Sequence, residues 1–200
     1  MPDAGVKEAS TSIVEAARKL IIERGWAGLS TREVAKRADV TLSQIHYHFG
    51  SKQGLVVALF QRSNVQLLER QARMFSDPAM SVAEQWEMAC AFLDEDIASG
   101  YVRTLMELWA QGWSDPEIAE VVRTAIMGWQ DLIKIAARRA EKRFGKIGPF
   151  TPESLSALVG SAFIGSEAFL LLNFDADRVP IRRALSDVGA MIRQLEQAAG

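Results

Sequence analysis

The sequence predicts an all-α protein of about nine helices, with a small helix-turn-helix head and a helical-bundle body. Three observations predict this. Apolar residues recur at helical spacing almost throughout the 200 residues, and strand-like alternation with hairpin turns is absent. Helix start signals, a capping Ser, Thr or Asp before an acidic residue, an amide or a first-turn proline, punctuate the chain. Hydrophobic residues make up 48% and charged residues 24%, enough apolar mass for a sizeable core.

The first helix is expected from about Glu8 to Arg24, with Ile13, Ala16, Ala17, Leu20 and Ile21 as its buried stripe and Gly25 ending it. Ser30 and Glu33 form the start signal of a short helix reaching about Ala38, with Leu29 placed to staple onto Val34. Asp39-Val40-Thr41 makes a turn. Thr41 and Gln44 then repeat the device, with Val40 opposite Ile45, and that helix ends near Phe49-Gly50. A long helix follows from Ser51 or Lys52 to about Phe75, broken by Ser76-Asp77-Pro78. Ser81 and Glu84 open the next helix, to about Ile97, and Ser99-Gly100 separates it from one around Tyr101–Gly112. Asp115-Pro116 starts a long helix ending at Phe144-Gly145. Thr151-Pro152 starts an apolar helix to about Phe174, and the last helix runs from about Pro180 to Gln197.

Two short helices joined by a brief turn and braced by a preceding helix make a helix-turn-helix. Ala35, Ala38, Val40, Ile45 and Phe49 are expected to form its small core. The opposite face presents Leu42, Ser43, Gln44, His46, Tyr47 and His48, groups that donate to phosphates and read base edges. Residues 1–52 hold eight Lys/Arg against six Asp/Glu, while the remainder holds fifteen against nineteen. A mildly basic head on an acidic body suits DNA contact at one end.

The run Gly28-Leu29-Ser30-Thr31-Arg32-Glu33-Val34-Ala35, then Ala38-Asp39-Val40, then Ile45-His46-Tyr47-His48-Phe49-Gly50-Ser51-Lys52-Gln53-Gly54-Leu55 resembles the signature of the tetracycline-repressor (TetR) family. The match covers roughly residues 10–60; beyond Phe60 chain length and helix pattern agree. The chain departs from the family where Asp39 replaces a commoner glycine and where His46 replaces a frequent tyrosine. The resemblance implies that Thr31, Tyr47, His48 and Lys52 hold phosphates and that Thr41, Leu42, Ser43 and Gln44 face the major groove, with His46 beside them. Gln44 is open to two roles, completing the cap with Thr41 or making a bidentate adenine contact.

Aromatic and methionine residues concentrate in the middle. Trp86, Cys90, Met106, Trp109, Trp113, Met127 and Trp129 are candidate linings of an effector pocket, where the resemblance places one, and suit a small apolar or aromatic molecule. The helix after Thr151 is apolar nearly all round. Its Leu155, Leu158, Ala162, Gly165, Phe169 and Leu172, with Leu185, Val188 and Ile192 of the last helix, are candidates for a homodimer interface. The division expected is 1–52 for DNA binding and 53–200 for effector binding and dimerisation. Together these imply a ligand-responsive transcriptional regulator, a repressor binding a palindromic double-stranded DNA operator. The alternative is a ligand-binding or scaffold protein of the same fold that no longer binds DNA.

An enzyme is not expected. Catalytic metal motifs, a glycine-rich phosphate loop and a nucleophile elbow are all missing. His46 and His48 point about 200° apart on a helix, wrong for shared metal ligation, and no metal or cofactor is expected. No secretory signal is read at the N-terminus, no apolar run is read as approaching the roughly 18 residues of a membrane span, and Cys90 is the only cysteine. Cytoplasmic residence is therefore expected, with no membrane partner.

Overall fold

The computed structural model describes residues 4–198. Among these residues it is helices and connecting turns, in the order α1 (Ala4–Gly28), α2 (Thr31–Ala38), α3 (Leu42–Phe49), α4 (Lys52–Ser76), α5 (Val82–Ala98), α6 (Tyr101–Gly112), α7 (Pro116–Phe144), α8 (Pro152–Leu171) and α9 (Ile181–Ala198). The expected nine-helix, all-α architecture is therefore the one observed.

The chain forms two compact units. One runs to Val65 and adds Ala98–Arg123; the other takes Gln66–Ile97 and continues from Thr124. This division by packing differs from the one expected at residue 52, because α6 packs on α1 and joins the first unit.

In the first unit, the expected stripe of α1 is buried: Ile13, Ala16, Ala17, Leu20 and Ile21. Gly25 kinks α1 at φ 65, ψ −170, a backbone conformation open to glycine, and the expected end there is a break after which the helix resumes to Gly28. Val34 and Ile45 are fully buried between α2 and α3 and Ala35 nearly so, while Ala38, Val40 and Phe49 are only half-buried. The stapling valine, rather than the turn valine, thus fills the small core. Leu55, Val56 and Phe60 of α4 are buried as well, and Phe60 stacks on Tyr101 of α6 at 5.4 Å between centroids.

The start of α6 is seated on α1. Arg18 donates to the carbonyl of Ser99 at 3.3 Å, and Gly100 lies flush against Ile22. Gly100 has φ +83, and a Cβ there would stand 2.7 Å from Ile22 Cγ1. Gly100→Ala combines backbone strain with overpacking and should cost about 2–3 kcal/mol. A lowered urea midpoint with an unchanged slope checks it.

The second unit is closed by long-range polar ties. Gln85 donates its amide to the carbonyls of Met74 and Phe75 at 3.1 and 3.2 Å, capping the end of α4. Arg139 donates to the carbonyls of Asp77, Pro78 and Met80 and holds the turn before α5. Glu196 accepts from the backbone N–H of Val82 and Ala83, a carboxylate at the positive end of α5.

Helix α8 corrects one expectation. An 18-residue stretch within it has a mean hydropathy of 1.5, long and apolar enough to cross a membrane by composition, and only 28% of that stretch is buried.

Candidate nucleic-acid interface and buried aromatic site

The first unit presents α3 on a well-capped frame. Ser30 Oγ accepts from Glu33 N at 3.1 Å and starts α2. Asp39 closes it in the left-handed region, φ 54, ψ 47, and Val40 N returns to the carbonyl of Ala35 at 3.0 Å. The aspartate therefore keeps the turn that glycine would make. At α3 the capping box is complete: Gln44 N donates to Thr41 Oγ1 at 3.3 Å, and Thr41 N donates to Gln44 Oε1 at 2.9 Å. Thr41 Oγ1 also donates to Gln44 Oε1, at 3.1 Å.

Apart from the buried Ile45, α3 is open. Thr41, Leu42, Ser43, Gln44 and His46 are exposed, and Tyr47 is 79% exposed with its ring edge-on to His48 at 5.2 Å. His48 and Thr31 are half-buried. Two of these residues also have local duties. His46 Nδ1–H donates to the carbonyl of Gly50 at 2.9 Å and pins the end of α3. Lys52 donates to the carbonyl of Trp26 at 2.9 Å and lies 4.4 Å from that indole's centroid. Desolvation there lowers the lysine pKa, with Glu107 opposing. A second long tie, Gln53 Nε2 to Asp115 Oδ2 at 2.8 Å, fixes the start of α4 to the start of α7.

The pocket candidates divide between the units. Met106 and Trp109 are half-buried in the first, where Trp113 is 80% exposed. In the second, Met127 is 61% exposed, whereas Trp86, Cys90 and Trp129 converge on a core of Leu93, Phe163 and Leu185. Phe163 is the hub, with ring centroids 5.4 Å from Trp86 and 6.1 Å from Trp129, both edge-on. Each indole N–H is tied off: Trp86 donates to the carbonyl of Leu185 at 2.8 Å, and Trp129 donates to Gln71 Oε1 at 2.7 Å. Burial, with Asp94 and Glu87 adding to it, pushes the Cys90 thiol up to about 11, so it carries no thiolate at neutral pH.

Sequence reading missed the charged half of this cluster. Glu167, one turn beyond Phe163 on α8, is 9% exposed, and Asp96 of α5 is buried too. Arg70 of α4 donates to both Asp96 oxygens at 2.8 and 2.7 Å and lies 4.0 Å from the Phe92 ring centroid. Burial, with Asp96 adding to it, pushes the Glu167 carboxyl up to about 8. The signal was present: Glu167 is the only charged residue between Glu153 and Asp175.

The interface candidates lie mainly on the other face of α8. Leu158, Ala162, Phe169 and Leu172 are exposed, and Leu155 and Gly165 half-buried. On α9, Val188 and Ile192 are half-buried. Leu185 differs from them, being buried against Leu93 and Phe163.

Comparison with known proteins agrees with this arrangement. A family model described as "Bacterial regulatory proteins, tetR family" matches residues 13–59. The HTH-type transcriptional regulator BetI of Burkholderia mallei is 24% identical over 62% of this chain and 65% of its own length. The regulator UidR of Escherichia coli is 24% identical over 70% of this chain and 69% of its own. The match therefore spans just under two thirds of the BetI relatives' length. Among solved structures, a transcriptional regulator from Saccharomonospora viridis in complex with choline superposes with TM-score 0.75 at 20% identity, covering 90% of this chain and 95% of that one. FadR of Bacillus subtilis, in complex with stearoyl-CoA, superposes with TM-score 0.71 at 15% identity, covering 90% and 96%. Residues 13–59 thus match the tetR family of bacterial regulatory proteins, and the fold is shared with solved transcriptional regulators along almost the whole chain.

Proposed function

We propose that this chain is a cytoplasmic, ligand-responsive repressor that binds a palindromic operator as a homodimer. Residues 1–52 act as its DNA-binding part and residues 53–200 as its effector-binding and dimerisation part. The observation that carries the reading is α3: a short, doubly capped helix whose outer face is polar and almost fully exposed. Two such helices, one per protomer, enter successive major grooves about 34 Å apart. The apolar outer face of α8, with α9, pairs the protomers. A second copy covers it better than lipid does, because α8 also carries the buried, ionisable Glu167.

Thr41, Leu42, Ser43 and Gln44 face base edges, with His46 beside them; Thr31, Tyr47, His48 and Lys52 hold phosphates. Both lone pairs of Gln44 Oε1 are engaged by Thr41 in the free chain. Bidentate adenine contact therefore requires the box to open, whereas Nε2 is free to donate to a base acceptor with the box intact. The effector occupies the aromatic cluster of the second unit, around Trp86, Cys90 and Trp129. It releases the operator by binding the DNA-incompetent state more tightly.

A mobility shift with the DNA upstream of the protein's own gene tests the reading. Specific retardation is expected, and Gln44→Ala should relax preference at one base pair by about 1–3 kcal/mol. Retardation no stronger than on unrelated DNA would overturn it.

A further inference from the structure

The inner face of α8 carries a single charge in an otherwise apolar or small-residue surface: Phe163, Ser166 and Glu167 are buried side by side with Ser156 and Gly160. Glu167 is more than nine-tenths buried, and among the described residues no hydrogen bond or ion pair reaches its carboxyl; Asp96 acts on it only through its charge. A carboxylate so placed is costly unless a counter-charge arrives. Asp96 is the contrasting case, because Arg70 grips both of its oxygens. The pair leaves one carboxylate uncompensated. One turn before it, Phe163 holds the rings of Trp86 and Trp129, whose N–H groups are already satisfied.

We propose that this cluster takes a small organic cation, an alkylated ammonium, with Glu167 as its counter-charge and Trp86, Trp129 and Phe163 as its apolar walls. The proposal rests on the effector-binding reading and names the ligand class. An alkylated ammonium needs no hydrogen-bond acceptors, is attracted to aromatic faces, and supplies the positive charge Glu167 lacks. A hard metal ion would need several more oxygen ligands than two carboxylates, one of them already held by arginine. An anion meets two buried carboxyls. An uncharged ligand would leave Glu167 as costly as before. In the empty protein the raised pKa keeps Glu167 largely protonated at neutral pH, and the arriving cation lets it ionise.

Isothermal titration calorimetry of the full chain tests this with two probes, tetramethylammonium and 2,2-dimethylpropan-1-ol. The alcohol has the same tetrahedral quaternary centre without the charge. The cation should bind at least roughly tenfold more tightly, and Glu167→Gln should abolish that preference. The amide keeps the size and removes the buried charge, so the fold is not at risk. Glu153→Gln, on the same helix but exposed, should leave both affinities unchanged. Equal affinities, a preference for the alcohol, absence of tetramethylammonium binding, or a cation preference that survives Glu167→Gln would each overturn the proposal. The titration uses no DNA, so it stands or falls separately from operator binding. An operator complex released only by an uncharged ligand would keep the regulatory reading and discard the cation.

Discussion

Glu167→Gln is expected to stabilise the ligand-free protein at pH 8.5 and to leave it nearly unchanged at pH 5. The sign follows from the raised pKa. The folded carboxyl holds its proton to about pH 8, while the unfolded one releases it near 4.5. Between those values the unfolded state binds fewer protons, so stability falls as pH rises from about 4.5 to about 8 and is flat beyond. Because Glu167 is almost fully buried, solvent screening reduces this little. The accumulated cost is about 3–5 kcal/mol, each pKa unit contributing about 1.4. Glutamine removes it. Asp96, whose pKa burial also raises against the pull of Arg70, adds a slope of the same sign. Urea unfolding of wild type and variant at pH 5, 7 and 8.5 measures the effect. Parallel curves would show that Glu167 is ionised and compensated throughout.

The second large effect concerns the outer face of α8. Leu158 and Phe169 are exposed large hydrophobics on a helix most of whose surface is unburied within its own chain. The double substitution Leu158→Glu with Phe169→Glu places two charges on each side of the proposed four-helix interface, and the symmetry doubles that number across it. The chain should become monomeric, since burying unpaired carboxylates costs several kcal/mol each. Operator affinity should fall about a hundredfold or more as the second half-site is lost. Because both positions face solvent in the single chain, helical content should persist. Analytical ultracentrifugation beside circular dichroism checks the pair; an unchanged dimer would move the interface elsewhere.

What was legible in the sequence was local. The capping boxes at Thr41/Gln44 and Ser81/Glu84, and the Thr151-Pro152 start, act within four residues, and each appears at its expected helix. The kink at Gly25 and the end of α3 at Gly50, with φ 65 and φ 69, are likewise properties of single residues. Which way an apolar stripe faces is not local. Leu185 and Val188 read alike, yet Leu185 meets Phe163 in the core while Val188 stays half-exposed. Trp113 and Trp86 both read as pocket linings, yet Trp113 is 80% exposed in the turn before α7. The meaning of Glu167 depends on Asp96 and Arg70, some 70 and 97 positions away, which no helical period connects. The duties of Lys52 at the Trp26 carbonyl and of His46 at Gly50 were also invisible, because both depend on chain geometry at helix ends.

The central claim is that α3 reads DNA sequence as one half of a dimer. Its most direct measurement is fluorescence anisotropy with an operator selected from a random pool, competed against a scrambled duplex at matched salt. The account predicts two protomers per operator and a preference of about a thousandfold or more for the selected site. Equal affinity for both duplexes, or saturation at one protomer per site, would contradict it.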